Sequence, residues 1–117
     1  MTPQVRFATA SDGWAVPHVS SPFELIGDLL RADFPNLIRT TELLAFLEAV
    51  AEGTVTTWEG TGNATHLKLC REWAEIEDIW TETRPPIRVP LDDLRTIVSQ
   101  WHSYLDQRSD MLGSISE

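Results

Sequence analysis

Apolar residues recur at the three- and four-residue spacing of an α-helix in three segments of the chain. The longest repeat is near the C-terminus, in PLDDLRTIVSQWHSYL. One face of a helix over this segment would carry Leu91, Leu94, Val98, Trp101 and Leu105. The proline at its start suits a first helical turn, and the two aspartates that follow would complement the positive end of the helix dipole. The pattern predicts a long C-terminal amphipathic helix.

Two central helices are predicted upstream. The first covers residues 22–32 and begins after Ser21, a residue type that caps helices, with a glutamate three residues later. It ends before Pro35, because the residue before a proline avoids helical geometry. The second covers residues 41–51 and ends at Gly53, since glycine is common just past the end of a helix.

Alternation of apolar and polar residues predicts strands in the rest of the chain. The turn signal Ser-Asp-Gly at residues 11–13 separates two such runs and predicts an N-terminal hairpin. A second hairpin is predicted around residues 60–63, and a short edge strand follows a pair of prolines. The predicted strands cover residues 4–10, 14–16, 54–58, 64–70 and 87–89.

The segment WAEIEDIW, residues 73–80, fits two structures. Leu69, Trp73, Ile76 and Trp80 would form a helical stripe, whereas the neighbouring segments alternate as strands. No capping residue precedes the segment, so a strand over residues 74–81 is the favoured interpretation.

This order of elements predicts an α+β fold. A small antiparallel sheet with an N-terminal hairpin would carry the two central helices and the C-terminal amphipathic helix on one face. One domain would span residues 1–117, which is long enough for a single hydrophobic core. Residues 108–117 are polar and are expected to form a frayed tail.

Acidic residues outnumber basic ones by two to one. Nine Lys and Arg residues against eighteen Asp and Glu residues give a net charge of -9, and the basic residues are scattered. This field repels phosphate backbones, so we expect no direct contact with nucleic acid. A single cysteine is typical of a reducing compartment, the N-terminus lacks a signal-peptide pattern, and no apolar run reaches the ~18 residues that span a bilayer. These features predict a cytoplasmic protein without membrane contact, and they leave its oligomeric state open.

The stretch TTWEGTGNATHLKL raises the question of a phosphate-binding loop, because Gly60 and Gly62 lie one residue apart. A dinucleotide fingerprint needs a third glycine, and a P-loop needs an adjacent lysine. Neither is present, and the residues that follow alternate as a strand, so no helix N-terminus would face an anion. A hairpin turn is therefore the favoured interpretation.

The residue types that bind metals or attack substrates are dispersed. His18, His66 and His102 lack a metal-type partner at close spacing, and Cys70 is the single cysteine. Cys70 and His66 are conceivable as nucleophile and base, but on a strand they would lie ~13 Å apart, too far for a hydrogen bond. We expect no catalytic residue, no metal and no cofactor.

A run of five acidic residues with no basic residue among them is the most informative chemical feature. It consists of Glu72, Glu75, Glu77, Asp78 and Glu82. Three interpretations are open: a solvated face, a pair of catalytic carboxylates, and a docking surface for a basic protein. Paired catalytic carboxylates need an apolar pocket, of which the sequence gives no sign.

Five tryptophans are many for a chain of this length. Trp101 falls on the apolar stripe of the C-terminal helix and is predicted to lie in the core. Core positions are also favoured for most of the others, with a role as partner anchors as the alternative, since Trp is enriched at binding hot spots. Trp80 lies within the acidic run, and we include it among the candidate partner-binding residues.

Three segments together resemble small bacterial immunity proteins: WEGTGNATHLKL, the acidic EIED at residues 75–78, and PLDDLRTIVSQWHSYL. They look like immunity proteins of contact-dependent growth inhibition systems and, more distantly, like the YacL family. The resemblance covers residues 54–105. It implies a protein that binds and blocks a toxin and performs no chemistry of its own.

The resemblance and the acidic run predict an inhibitor of a basic toxin. A nuclease is one candidate, because an acidic surface can cover a basic, nucleic-acid-binding cleft. The predicted contact residues are Glu72, Glu75, Glu77, Asp78, Glu82 and Trp80. Two other classes stay open: a non-catalytic interaction or assembly module that uses exposed tryptophans and sheet edges, and a small enzyme that uses Cys70, a histidine or an acid pair.

Overall fold

A computed structural model shows an α+β fold in which helices pack on a four-stranded antiparallel sheet and a separate N-terminal hairpin. The structure describes the backbone of residues 2–116 and the side chains of residues 2–108. The strands are β1 (Val5–Thr9), β2 (Ala15–Val19), β3 (Thr57–Thr61), β4 (Thr65–Cys70), β5 (Trp73–Asp78) and β6 (Ile87–Pro90). The helices are α1 (Glu24–Asp28), which continues into a π-helical turn (Leu29–Asp33), α2 (Leu37–Glu52) and α3 (Leu91–Ser116).

The sheet has the strand order β3-β4-β5-β6, and each neighbouring pair is antiparallel. Successive side chains on a strand point to opposite faces. One face of β4 and β5 therefore carries the buried residues Leu67, Leu69, Ala74 and Ile76. The other face, which we call the outer face, carries mainly polar and charged side chains, and these are half-buried or exposed.

The helices cover the apolar face of the sheet. All five residues of the predicted stripe on α3 are buried, which confirms the amphipathic C-terminal helix. The same helix also holds the N-terminal hairpin, because the ring of Phe7 on β1 lies 5.3 Å from the ring of Trp101 and 5.6 Å from that of Tyr104. The hairpin thus packs on α3 and does not extend the four-stranded sheet.

Three further predictions of structure are confirmed. The N-terminal hairpin forms, and Gly13 closes its turn with a φ of 90°, a conformation that favours glycine. The ambiguous segment is a strand that pairs with β4 and β6, and along it the buried Ala74 and Ile76 alternate with the less buried Trp73, Glu75 and Glu77. Gly53 ends α2 in the left-handed conformation, with a φ of 82°.

The starts of both central helices differ from the predictions. α2 begins at Leu37 rather than at residue 41, because the Asn36 side chain accepts the backbone N–H of Arg39 at 2.9 Å and caps the helix earlier. The first helix begins at Glu24, and no side chain caps its N-terminus, so the predicted cap by Ser21 is wrong.

The first strand of the second hairpin is displaced toward the C-terminus. It covers β3, residues 57–61, rather than residues 54–58, because Gly60 and Thr61 pair with β4 instead of forming the turn. The turn itself is shorter than predicted and comprises residues 62–64. β5 ends at Asp78 and not at the predicted residue 81. The Asp78 carboxylate accepts the backbone N–H of Trp80, which turns the chain out of the strand.

Two expectations concern the chain end and the membrane. The backbone of α3 is described as far as Ser116. The predicted frayed tail, residues 108–117, consists mostly of residues whose side chains lie outside the described part, and it stays a prediction. Within the described chain, no helix has both the length and the apolar character that crossing a bilayer requires.

Candidate functional site

The backbone N–H groups of the β3–β4 turn bind an anionic group, which is the carboxylate of Asp33. Oδ1 of Asp33 accepts the backbone N–H of Asn63 at 2.5 Å and that of Ala64 at 3.0 Å. Oδ2 accepts the backbone N–H of Thr65 at 3.0 Å and the Thr65 hydroxyl at 2.5 Å. Only 4% of Asp33 is exposed. The hairpin turn is confirmed, and a side chain of the protein itself binds the amides of the turn.

The glycine pair is explained by internal packing. A Cβ atom at Gly62 would lie 2.4 Å from Cγ of Asp33, so only glycine lets the carboxylate reach the turn. A Cβ atom at Gly60 would lie 2.8 Å from Cη2 of Trp58, because that indole ring lies across the glycine. Each glycine thus makes room for a large or charged side chain.

Two members of the acidic run are held in ion pairs. Glu75 Oε1 accepts a hydrogen bond from Arg88 Nε at 3.1 Å, and its Oε2 lies 4.0 Å from Lys68 Nζ. Asp78 Oδ2 lies 3.3 Å from Arg84 Nη1, and the Asp78 side chain is only 8% exposed. These two carboxylates have positive partners within the protein, so they contribute little negative potential to the surface.

The other three members of the run lie at two ends of one strand. Glu77 is exposed near the end of β5, and Glu82 is exposed in the loop that follows. Glu72 is exposed in the turn that precedes β5. Glu77 follows Glu72 by five residues of extended chain, which corresponds to roughly 17 Å. The structure therefore places Glu77 and Glu82 at one end of the sheet and Glu72 at the other.

Charges on the outer face of the sheet alternate in sign from strand to strand. The strand register aligns Glu59, Lys68, Glu75 and Arg88 in one row across all four strands. Glu77 faces His66 in the next row. Opposite charges on neighbouring strands attract each other. With three carboxylates against one lysine and one arginine, these positions carry a net charge of -1 when the histidine is neutral. Most charged residues on the outer face therefore lie opposite a residue of the other sign.

Trp80 is an exposed aromatic side chain that is nevertheless fixed in place. It is 78% exposed. Its indole N–H donates to the carbonyl of Asn63 at 2.7 Å, and its backbone N–H donates to Asp78 Oδ1 at 2.8 Å. The neighbouring Ile79 is 41% exposed, and its backbone N–H donates to the carbonyl of Ala64 at 3.2 Å. We call Glu77, Ile79, Trp80 and Glu82 the Trp80 surface.

The support of Trp80 extends into the protein through the β3–β4 turn. Asp33 binds the backbone N–H of Asn63, and the carbonyl of the same residue accepts the indole N–H of Trp80. Sequence reasoning missed Asp33, although one signal was present. Asp33 lies one residue past the end of the predicted helix and seven, four and three residues after Ile26, Leu29 and Leu30, so it continues the apolar side of that helix.

The tryptophans occupy different environments. Trp101 is fully buried, as predicted, and its indole N–H donates to the carbonyl of Phe34 at 2.9 Å. The expectation that most of the others also lie in the core is wrong. Trp73 is half-buried on the outer face, with the Arg88 guanidinium 4.0 Å above its ring. Trp14 is 63% exposed on the N-terminal hairpin.

Two of the histidines lie beside threonine hydroxyls, and the cysteine is half-buried. Nδ1 of His66 lies 2.5 Å from the hydroxyl oxygen of Thr61, and Nε2 of His102 lies 3.1 Å from that of Thr41. Cys70 is half-buried on the same face of β4 as His66. Among the described residues, no three His, Cys, Asp or Glu side chains are grouped as a metal ion would require.

An ion-pair cluster joins α2 to the start of α3. Nη2 of Arg95 donates to Glu48 Oε1 at 2.6 Å, and its Nη1 donates to Asp92 Oδ1 at 3.0 Å. The hydrogen bond to Glu48, followed by that to Asp92, raises the pKa of Arg95 above its ordinary value. These ion pairs link the two helices.

Comparisons of the chain with protein-family models, with curated proteins and with solved structures found no match. The resemblance to immunity proteins is therefore a hypothesis.

Proposed function

We propose that the chain is a cytoplasmic, non-catalytic binding protein that inhibits a basic partner, in the manner of an immunity protein that neutralises its toxin. The observation that supports this most is the Trp80 surface. It combines a 78% exposed tryptophan with two exposed carboxylates on a protein of net charge -9.

An aromatic anchor of this kind suits protein recognition. Tryptophan is enriched among the few residues that carry most of the binding energy of an interface. An exposed side chain that is free to rotate loses conformational entropy when it binds. The indole of Trp80 is already held by its hydrogen bond to Asn63, so less entropy is lost when a partner covers the ring. Ile79 adds apolar area beside it.

Charge supplies the preference for a basic partner. Eighteen acidic residues against nine basic ones give the whole protein an attractive field for a positive surface, which speeds association. Glu77 and Glu82 flank Trp80 in sequence and are exposed. Glu75 and Asp78 are engaged in internal ion pairs, so in this proposal they shape the surface and do not contact the partner. A nuclease with a basic cleft is one partner that such a surface would fit.

The charge component is tested by reversing Glu77 and Glu82 together. The partner is first captured from a lysate of the source cells with the tagged protein and identified by mass spectrometry, and its affinity is then measured by biolayer interferometry. The variant Glu77→Lys/Glu82→Lys is expected to weaken binding by about tenfold, mainly through slower association and most clearly at low salt.

The matched control is Glu52→Lys/Glu72→Lys, which changes the net charge by the same amount at exposed positions at the end of α2 and before the start of β5. We expect a loss of no more than about threefold there, due to the long-range field alone. Equal losses in the two variants, or a captured partner with an acidic surface, would contradict the role of the Trp80 surface.

A further inference from the structure

The outermost strand β3 presents an unpaired backbone edge. Within the described chain it pairs with β4 alone. The backbone N–H of Gly62 donates to the carbonyl of Thr65 at 2.9 Å. This bond shows which residues of β3 direct their backbone groups toward β4. In an antiparallel pair, alternate residues direct both backbone groups toward the partner strand. Thr57, Glu59 and Thr61 therefore direct their N–H and C=O groups away from β4, toward solvent.

A cleft runs between this strand and helix α2. It encloses about 120 Å³. Its apolar lining comes from the inner faces of the sheet and of the helices, namely Leu29, Phe34, Phe46, Trp58, Gly60 and Leu67. An apolar cavity of about 150 Å³ holds one benzene molecule, so this cleft has room for one aliphatic side chain.

Two aromatic rings form one wall of the cleft, and an ion pair lies at its rim. Phe46 of α2 stacks on Trp58 of β3 with ring centroids 4.6 Å apart, so helix and strand are held at a fixed separation. Arg39 Nη1 lies 3.7 Å from Glu42 Oε1, and both side chains are about half exposed. The rim is therefore polar and the Phe46–Trp58 wall apolar, as in a pocket that accepts a side chain from an extended peptide.

Charge distinguishes between the polypeptides that could pair with this edge. Glu59 lies at the middle of β3, and its side chain is 62% exposed on the outer face. Its described ionic neighbour is His66, at 3.8 Å. If a second copy paired antiparallel about the centre of β3, the two Glu59 side chains would face each other, and like charges in that position are destabilising. A strand with Lys or Arg opposite Glu59 would be attracted instead.

We propose that the β3 edge is a docking site for an extended basic segment of another protein. The segment adds a fifth strand to the sheet through the backbone groups of Thr57, Glu59 and Thr61. One face of the segment places an aliphatic side chain in the cleft, and the other places Lys or Arg beside Glu59. This inference does not depend on what the partner does or on whether it also contacts Trp80.

The test uses peptides as probes of the full chain. A phage-displayed library of random 12-residue peptides is selected on the protein, and the best sequences are synthesised and titrated by fluorescence polarisation. We expect sequences in which aliphatic and basic residues alternate. N-methylation of the peptide backbone should weaken binding by about tenfold or more at every second position and change it little at the positions between, because only alternate N–H groups of an added strand face β3.

Variants of β3 provide the second arm. Glu59→Pro removes a backbone N–H that faces solvent, a place where an edge strand tolerates proline, and should weaken binding by about tenfold or more. Glu59→Gln keeps the N–H and removes the charge, so the loss should be smaller. Far-UV circular dichroism checks that both variants fold. If Glu59→Pro does not fold, the N-methyl scan on the unaltered chain still tests the proposal.

Four results would overturn the proposal. They are a selection that yields no binder, uniform tolerance of N-methylation, full binding by a folded Glu59→Pro variant, and, in analytical ultracentrifugation, a dimer that Glu59→Pro disperses. The last result would assign the edge to a second copy of the chain.

Discussion

Replacing Asp33 with alanine is expected to lower the free energy of unfolding by about 3–5 kcal/mol. The carboxylate accepts three backbone N–H groups and one hydroxyl of the β3–β4 turn. Asp33 is only 4% exposed, so solvent reaches this place poorly. Once the carboxylate is removed, its donors therefore lose their acceptor and water replaces it poorly. The expected loss is a large part of the 5–15 kcal/mol that stabilises a typical domain.

The measurement is urea denaturation followed by tryptophan fluorescence, with Asp28→Ala as the control. Asp28 is also an aspartate that accepts a hydrogen bond, in its case from Arg84 Nη1 at 2.8 Å, but its side chain is 46% exposed. Its replacement should cost no more than about 1 kcal/mol, because solvent screens an exposed ion pair. A loss for Asp33→Ala as small as that for Asp28→Ala would mean that the turn is held by its own backbone and not by the carboxylate.

Replacing Trp80 with alanine is expected to weaken binding of the captured basic partner by about 30-fold or more, or roughly 2 kcal/mol. The substitution removes the most exposed large apolar side chain of the described residues and leaves the carbonyl of Asn63 without its indole donor. Because the ring is exposed, its loss should change the free energy of unfolding by less than about 1 kcal/mol. Isothermal titration calorimetry gives the affinity, and urea denaturation gives the stability.

Trp14→Ala is the matched control for this experiment. Trp14 is 63% exposed and lies on the N-terminal hairpin, which forms its own two-stranded sheet. Its replacement removes the same side chain from a different part of the surface, and affinity should change by no more than about twofold. If Trp14→Ala weakened binding and Trp80→Ala did not, the contact would lie at the hairpin, and the proposed surface would be wrong.

Short-range patterns were sufficient to predict much of the fold. The stripe from Leu91 to Leu105 made α3 recognisable because every member lies on one helical face, and burial against the sheet is what such a face requires. The alternation of Leu67 and Leu69 with His66 and Lys68 identified β4 in the same way. These signals depend on spacing along the chain, which the sequence displays directly.

Contacts between distant residues could not be predicted in this way. Asp33 binds residues about thirty positions away, and its role depends on how α1 and the π-helical turn pack beside the β3–β4 turn. Glu75 and Asp78 carried the same sequence signal as Glu77 and Glu82. Their pairing with Arg88 and Arg84 arises only when β6 and its preceding loop fold back against β5.

The acidic run therefore acquires a different meaning in the structure. As a sequence it suggested one concentrated negative patch from Glu72 to Glu82. In the fold, two of its members pair with arginines, Glu72 lies at the far end of β5, and Glu77 and Glu82 stay exposed. The proposed contact is consequently an aromatic anchor with acidic neighbours, and the net charge of -9 acts over longer range.

Hydrogen–deuterium exchange of the protein, alone and with the captured basic polypeptide, tests most directly whether binding occurs through the end of the sheet that carries Trp80. We predict slower exchange on binding in residues 77–82 and in the β3–β4 turn that supports the indole. We predict no change around the Arg95 cluster, where α2 meets α3 at the opposite end. Protection at that cluster, with unchanged exchange around Trp80, would contradict the proposal.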